Sequence, residues 1–214
     1  MKLYADSADV DTVVGLLQDR IITGVTTNPT ILHKCGHSTS SIPELYDRFS
    51  DAGAEEIFFQ ATGATRAAMR ASADSISRLG TGIVVKVPAT AIGFRVAAEC
   101  VRDGTPVLMT AVYSVAQAIA SAAIGARYIA PYFGRLSDAG VDALGEVTRM
   151  NRVLEGTRTD VLVASVRTPG AASDLVAAGI RHLTAHPAVL EAMLVDPTSD
   201  EAAAEFEAGA ASGR

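Results

Sequence analysis

The sequence predicts a (β/α)8 barrel. Three observations carry that expectation: short apolar or β-branched runs recur eight times along the 214 residues, segments of helical spacing lie between them, and glycines stand where those helices should stop. Strands that alternate with helices imply a parallel sheet covered on both faces. The runs IVVKVP (83–88) and DVLVASV (160–166) fit such strands. Eight repeats favour closure, because an eight-stranded barrel encloses just enough room for its inward side chains. An open doubly wound sheet commonly carries a Gly-rich nucleotide loop, and neither G-x-G-x-x-G nor G-x-x-x-x-G-K-[ST] occurs.

In chain order the expected strands are 2–6, 24–27, 56–62, 82–88, 106–112, 126–132, 160–166 and 182–186. Val10, Val13, Val14 and Leu17 share one stripe of the first intervening helix, and Ala67, Ala71 and Ile76 do so after the third strand. Gly53, Gly80, Gly104, Gly125, Gly156 and Gly179 can each supply the left-handed residue that ends a helix. Beyond strand eight the chain runs through 187–195 into the Ala/Glu-rich DEAAAEFEAGAASGR. Residues 1–214 are read as one domain, and 196–214 as an extension. That extension is expected to form a helix that packs on a neighbouring subunit, with a frayed end.

A net charge of -6 and a pI near 5.2 argue against a nucleic-acid surface, which needs clustered Lys and Arg. A small-molecule partner fits better. Cys35 and Cys100 are far apart, and Met1 leads directly into a strand, so the chain is expected to be cytoplasmic with reduced thiols. No uncharged apolar run approaches the roughly 20 residues that span a bilayer, so no membrane partner is expected.

Active sites of parallel barrels are built at the C-terminal ends of the strands. Those ends carry Asp6, then Thr26, Thr27 and Asn28, then Gln60, Lys86, Thr110, Tyr132, and Ser165 with Arg167. Lys86 stands inside an otherwise apolar run, where period-two alternation turns it into the barrel if Val85 and Val87 face the helices. Desolvation would then lower its pKa from about 10.4 toward about 7 to 8, the range of a nucleophilic lysine. Alternatively, Lys86 snorkels to the mouth or pairs with a buried acid such as Asp6. Asp6 itself can act as a general base or cap the helix that begins near Asp9. Arg135 and the Ser165–Arg167 run offer donors to a phosphate, or form surface salt bridges. His33, Cys35 and His37 form H-x-C-x-H in a loop without a fourth ligand at usual spacing, which reads as structural and not as a metal site.

Together DSADV, GVTTNP, IVVKVP, TAVYS, APYFGR and ASVRTP, in this order and spacing, resemble the transaldolase family over residues 1 to 193. The resemblance implies a class I aldolase mechanism without metal or other cofactor, in which Lys86 forms an imine with a ketose phosphate. Gln60, Ala130 and Tyr132 look like the fructose-6-phosphate aldolase branch, which releases dihydroxyacetone, whereas the transaldolase branch passes it to an acceptor aldose phosphate. By the same resemblance Asp6 takes the C4 hydroxyl proton, and Gln60, Thr110 and Tyr132 hold a water. Thr26 and Asn28 bind the donor end, and Arg135, Ser165 and Arg167 bind the phosphate. Members form rings of subunits, so a homo-oligomer, as a pentamer or decamer, is expected. The loop HKCGHSTSS (33–41) and the strand-eight end TAHPAV depart from the family pattern, which leaves room for a longer or modified sugar phosphate.

Overall fold

The computed structural model describes residues 1–212. Eight strands, β1 (Lys2–Asp6), β2 (Gly24–Thr26), β3 (Glu56–Gln60), β4 (Ile83–Pro88), β5 (Val107–Val112), β6 (Tyr128–Pro131), β7 (Asp160–Val166) and β8 (His182–Ala185), close into a barrel in sequence order. Every neighbouring pair is parallel, and β8 returns to β1.

The helices are α1 (Val10–Gln18), α2 (Pro29–Lys34), α3 (Ile42–Asp51), α4 (Arg66–Ser77), α5 (Ala91–Arg102), α6 (Val115–Ala123), α7 (Phe133–Asp138), α8 (Ala143–Leu154), α9 (Pro169–Ala177), α10 (Pro187–Ala192) and α11 (Pro197–Ser212). A 3-10 turn, Thr39–Ser41, precedes α3. Loops after the strands are brief because a capping residue follows almost at once. The side chains of Asn28, Thr65, Thr90, Ser114 and Thr168 accept the N–H of Ile31, Ala68, Gly93, Gln117 and Ala171 at 3.0 to 3.3 Å. The six glycines expected to end helices all have positive φ, from 77° to 154°.

Several strands are one to three residues shorter than the sequence suggests: β2, β3 and β8 end early at the C-terminal rim, β4 and β5 start one residue late, and β6 is trimmed at both ends. In β5 and β7 the register shifts between Thr110 and Val112 and between Val163 and Val166. The residues inside those shifts, Ala111 (φ 57°) and Ser165 (φ 61°), adopt the left-handed conformation that non-glycine residues avoid. Such bulges at a barrel rim re-aim the side chains beside them.

Two apolar layers result. Tyr4, Phe58, Val84, Leu108, Tyr128, Ala130, Leu162 and Ala164 fill the barrel interior. The alternate strand residues, among them Val25, Phe59, Ile83, Val85, Val87, Met109 and Val163, pack outward against Leu16, Phe49, Val96, Met150 and Leu175 of the helices. Each fully buried large side chain contributes about 1.5–3 kcal/mol of transfer free energy, so this two-sided burial dominates stability. Gly24 is required where β2 meets β3, since a Cβ there would collide with the backbone of Glu56.

The N-terminal end of the barrel is closed by polar contacts around the buried Glu56 carboxylate. It accepts the Tyr4 hydroxyl at 2.5 Å and the Tyr128 hydroxyl at 3.1 Å, and pairs with Arg127 at 2.7 Å and Lys2 at 3.3 Å. The opposite end is left open for chemistry.

The C-terminal extension contains the expected helix, α11, which is exposed along nearly all of its length, with Phe206 74% exposed. The last two residues, where fraying was expected, lie outside the described residues.

Candidate active site at the C-terminal mouth of the barrel

Ile83, Val85 and Val87 of β4 face the helices while Val84 faces the barrel interior, so alternation turns Lys86 inward above Val84. Lys86 is 4% exposed. Among the described residues it has no ion pair within 4.0 Å. Burial pushes its pKa below the ordinary 10.5, and the charge of Asp6 opposes that fall without reversing it. The lysine therefore neither reaches bulk solvent nor closes a salt bridge with Asp6.

Asp6, at the end of β1, is held from the side. Thr184 of β8 lies 2.6 Å from the Thr26 hydroxyl, which donates to Asp6 Oδ1 at 2.7 Å. Since the Thr26 proton goes to the carboxylate, Thr184 is the donor to Thr26. Asp6 Oδ2 makes no hydrogen bond among the described residues. The helix-capping alternative for Asp6 is not realised: Asp9 caps α1, its side chain accepting the N–H of Thr12 at 3.3 Å.

Across the mouth, the Tyr132 hydroxyl lies 3.1 Å from that of Thr110. Burial pushes the Tyr132 phenol up, the hydrogen bond with Thr110 pulls it down, and the Asp6 charge adds to the rise. Tyr132 thus stays protonated at neutral pH. The Asp6 carboxylate thus acts by its charge on both Lys86 and Tyr132. A recess of about 250 Å³ gathers Asn28, Gln60, Thr110, Tyr132 and Arg135. Asn28 Oδ1 is committed to the N–H of Ile31 at 3.0 Å, which leaves its Nδ2 as the donor available to a ligand.

The expected phosphate group of residues is divided. Arg135 stacks over Tyr132 at 4.8 Å and reaches the Tyr113 hydroxyl at 3.4 Å, inside the first recess. Ser165 and Arg167 line a second recess of about 260 Å³ beside Asp6. Arg167 holds Asp138 with two bonds of 2.8 and 2.7 Å, the surface salt bridge that its sequence context also allowed. The Arg167 guanidinium passes over Gly134, the residue before Arg135, where a Cβ would strike its Nε at 2.7 Å.

Tyr113, Thr184, Lys34 and His186 also border the mouth. Tyr113 packs edge-on against Tyr132 at 5.9 Å. It stands in the quoted TAVYS run, but one residue past the strand end, where its direction is not readable from alternation. His33 and His37 remain near the end of α2, and no group of three metal-capable side chains occurs among the described residues.

An eight-stranded parallel barrel with a buried lysine, a carboxylate and a phenol at its C-terminal mouth has its polar groups where barrel enzymes build their active sites. The chain belongs to the Transaldolase/Fructose-6-phosphate aldolase family, whose model matches residues 3–213. Its function is accordingly of the aldolase type. The fold is similar to that of a thiamine phosphate pyrophosphorylase from Pyrococcus furiosus (17% identity, 88% of this chain and 87% of that one, TM-score 0.62). A native KDPGal structure is similar at 17% identity, 86% and 82% coverage and a TM-score of 0.63. A dihydrodipicolinate synthase from Rhodopseudomonas palustris follows at 14% identity, 87% and 69% coverage and a TM-score of 0.61. At these identities the likeness concerns the barrel alone. No helix among the described residues is long and apolar enough to cross a membrane.

Proposed function

We propose that the protein is a Schiff-base aldolase that reversibly cleaves the C3–C4 bond of a ketose phosphate, such as fructose 6-phosphate, into dihydroxyacetone and an aldehyde phosphate. The single observation that carries this reading is Lys86: an amine buried to 4% exposure, without an ion-pair partner, whose burial favours the uncharged form.

The Lys86 amine adds to the C2 ketone and loses water to give an iminium. Asp6 Oδ2 accepts the C4 hydroxyl proton, the C3–C4 electron pair moves into the iminium, and the aldehyde leaves an enamine on Lys86. A water held among Gln60, Thr110 and Tyr132 delivers a proton to C3 and recovers one from the protonated Asp6, and addition of water to the regenerated iminium releases dihydroxyacetone, the amine and the proton taken up when the iminium formed. Thr26 aligns Asp6, and Asn28 Nδ2 binds the donor hydroxyls. Arg135, Ser165 and Arg167 serve the phosphate. The hydroxyl pair of Thr110 and Tyr132 supports release over transfer to an acceptor aldose phosphate, since it supplies the proton that ends the enamine's life.

No cofactor takes part in this reading, and the chain acts in the cytoplasm as one domain whose extension from residue 196 meets a neighbouring copy. Exposed Leu194, Val195 and Phe206 support a homo-oligomer.

Borohydride reduction with dihydroxyacetone or fructose 6-phosphate, followed by peptide mass measurement, tests the imine. A reduced three-carbon adduct on the Lys86 peptide is expected, and no adduct, or one on another lysine, overturns the assignment.

A further inference from the structure

The two recesses at the mouth draw on different strands: the first on the chain from the end of β2 to just past β6, the second on β1, β7 and β8 and the end of α2. In the reading above Asn28, Gln60, Thr110 and Tyr132, all in the first, serve the donor half. The second recess begins at Asp6, and Ile31, Lys34, Cys35, Ser165, Arg167 and His186 bound it. This neighbourhood follows from topology. β1 lies between β2 and β8, so the chain after β2, ending α2 at Lys34, and the chain after β8, opening α10 at His186, flank Asp6 from both sides.

The charges in this recess are unevenly committed. Arg167 already has its guanidinium matched by both oxygens of Asp138. Arg135 stacks on Tyr132 in the other recess. Lys34, by contrast, has no ion pair within 4.0 Å among the described residues. His186 Nδ1 accepts the N–H of Ala188 at 3.2 Å, so the neutral imidazole carries its proton on Nε2. An uncommitted ammonium and an imidazole N–H thus line the same recess as Asp6, together with the apolar Ile31 and Val166.

We propose that this recess is the subsite for the aldehyde half of the substrate, and that Lys34 and His186 bind an anionic group, phosphate or carboxylate, at its far end. The assignment rests on the imine reading, because Asp6 fixes C4 and the chain beyond C4 must then run into this space. Lys34 supplies there the positive charge that Arg167 shares with Asp138. Neither Lys34 nor His186 touches the reacting atoms; both set which aldehyde the enzyme accepts.

The test runs the reaction in the synthetic direction with dihydroxyacetone and three aldehydes: glyceraldehyde 3-phosphate, succinic semialdehyde and uncharged glyceraldehyde. Lys34→Glu and His186→Ala change exposed side chains, so folding is preserved. Lys34→Glu is expected to raise KM by about tenfold or more for one or both charged aldehydes, equivalent to about 1.4 kcal/mol. The values for glyceraldehyde and for dihydroxyacetone should stay within about twofold. His186→Ala should act in the same direction and more weakly. The arm that moves more identifies the end group. An equal loss for all three aldehydes, or no change in any, overturns the assignment. Borohydride trapping of dihydroxyacetone on Lys86 is run on the same proteins. Trapping with unmoved KM values defeats only this subsite, whereas absence of trapping in the unsubstituted enzyme defeats the imine itself.

Discussion

The Tyr132 hydroxyl lies 3.1 Å from the Thr110 hydroxyl, and both open onto the recess that holds Gln60. One protonated phenol, one alcohol and one amide therefore converge on one space, which the proposed reaction gives to a water directed at the enamine on Lys86. Because burial keeps the phenol in its acid form, Tyr132 can donate a hydrogen bond into this recess.

Removing that donor should change the fate of the enamine. Tyr132→Phe is expected to lower dihydroxyacetone release by about 100-fold, the usual scale of a positioned proton donor, while imine formation persists. In the presence of an acceptor aldose phosphate the ratio of transfer to release should rise. Chromatographic quantification of both products checks this, and an unchanged ratio rejects the water-holding role.

Imine formation should depend on pH in a direction set by Lys86. Its folded pKa is depressed, so the free amine is present above that value and is lost as pH falls through it. The rate of borohydride-trapped adduct formation should rise with pH to a plateau that begins below 10.5. Asp6→Asn removes the carboxylate that favours the ammonium, so the rise should move to still lower pH. A rate that climbs through 10.5, or one flat from weakly acid to alkaline pH, contradicts this.

The same burial makes Lys86 a stability cost. A lysine whose folded pKa lies below its unfolded one opposes folding at every pH below the unfolded value, and the opposition fades as pH rises. Lys86→Met should therefore stabilise the barrel at neutral pH by about 1 kcal/mol or more, seen as a rise of about 2–4 °C in the melting midpoint. A lowered midpoint would show that the amine contributes favourable contacts to the fold.

At the other end of the barrel, Glu56 acts with the opposite sign. Burial favours its protonated form, but the hydrogen bond from Tyr4 and the charges of Arg127 and Lys2 outweigh burial and hold its pKa below 4.5. Its stabilisation is present above pH 4.5 and is lost as pH falls through the depressed value. Glu56→Ala strands the buried Tyr4 hydroxyl and two cations, so a loss of about 3 kcal/mol, or about 6–12 °C, is expected at neutral pH. Calorimetry from pH 7 downward checks both statements: the loss should shrink in acid for the variant relative to the parent, and a pH-independent difference contradicts it.

Assembly should depend on the extension. α11 presents Phe206 to solvent in the isolated chain, and a second copy is the proposed cover. Light scattering of full-length and 1–195 protein should give a multimer for the first and a smaller species for the second. Equal masses contradict a role for α11 in assembly.

The barrel and much of its mouth were legible in the sequence because alternation and strand ends obey short-range rules. Lys86 betrayed itself as one charge in an apolar strand, and Gln60, Thr110 and Tyr132, at the C-terminal ends of β3, β5 and β6, line one recess. Where two nearby residues could play one part, the sequence was silent: Asp9, not Asp6, caps α1, and nothing local distinguishes them. The separation of Arg135 from Arg167 is likewise set by distant contacts, with Tyr132 beneath the first and Asp138 opposite the second. Left-handed Ala111 and Ser165, which redirect the rim, carry no signal in residue type.

The account depends most on Lys86 holding an uncharged amine at neutral pH. The direct measurement is an NMR titration of protein labelled at lysine Cε, with the Lys86 signal identified by its loss in Lys86→Met. The account predicts a midpoint below the ordinary 10.5, in the direction that burial dictates. A Lys86 signal that titrates near 10.5, like a surface lysine, would contradict it.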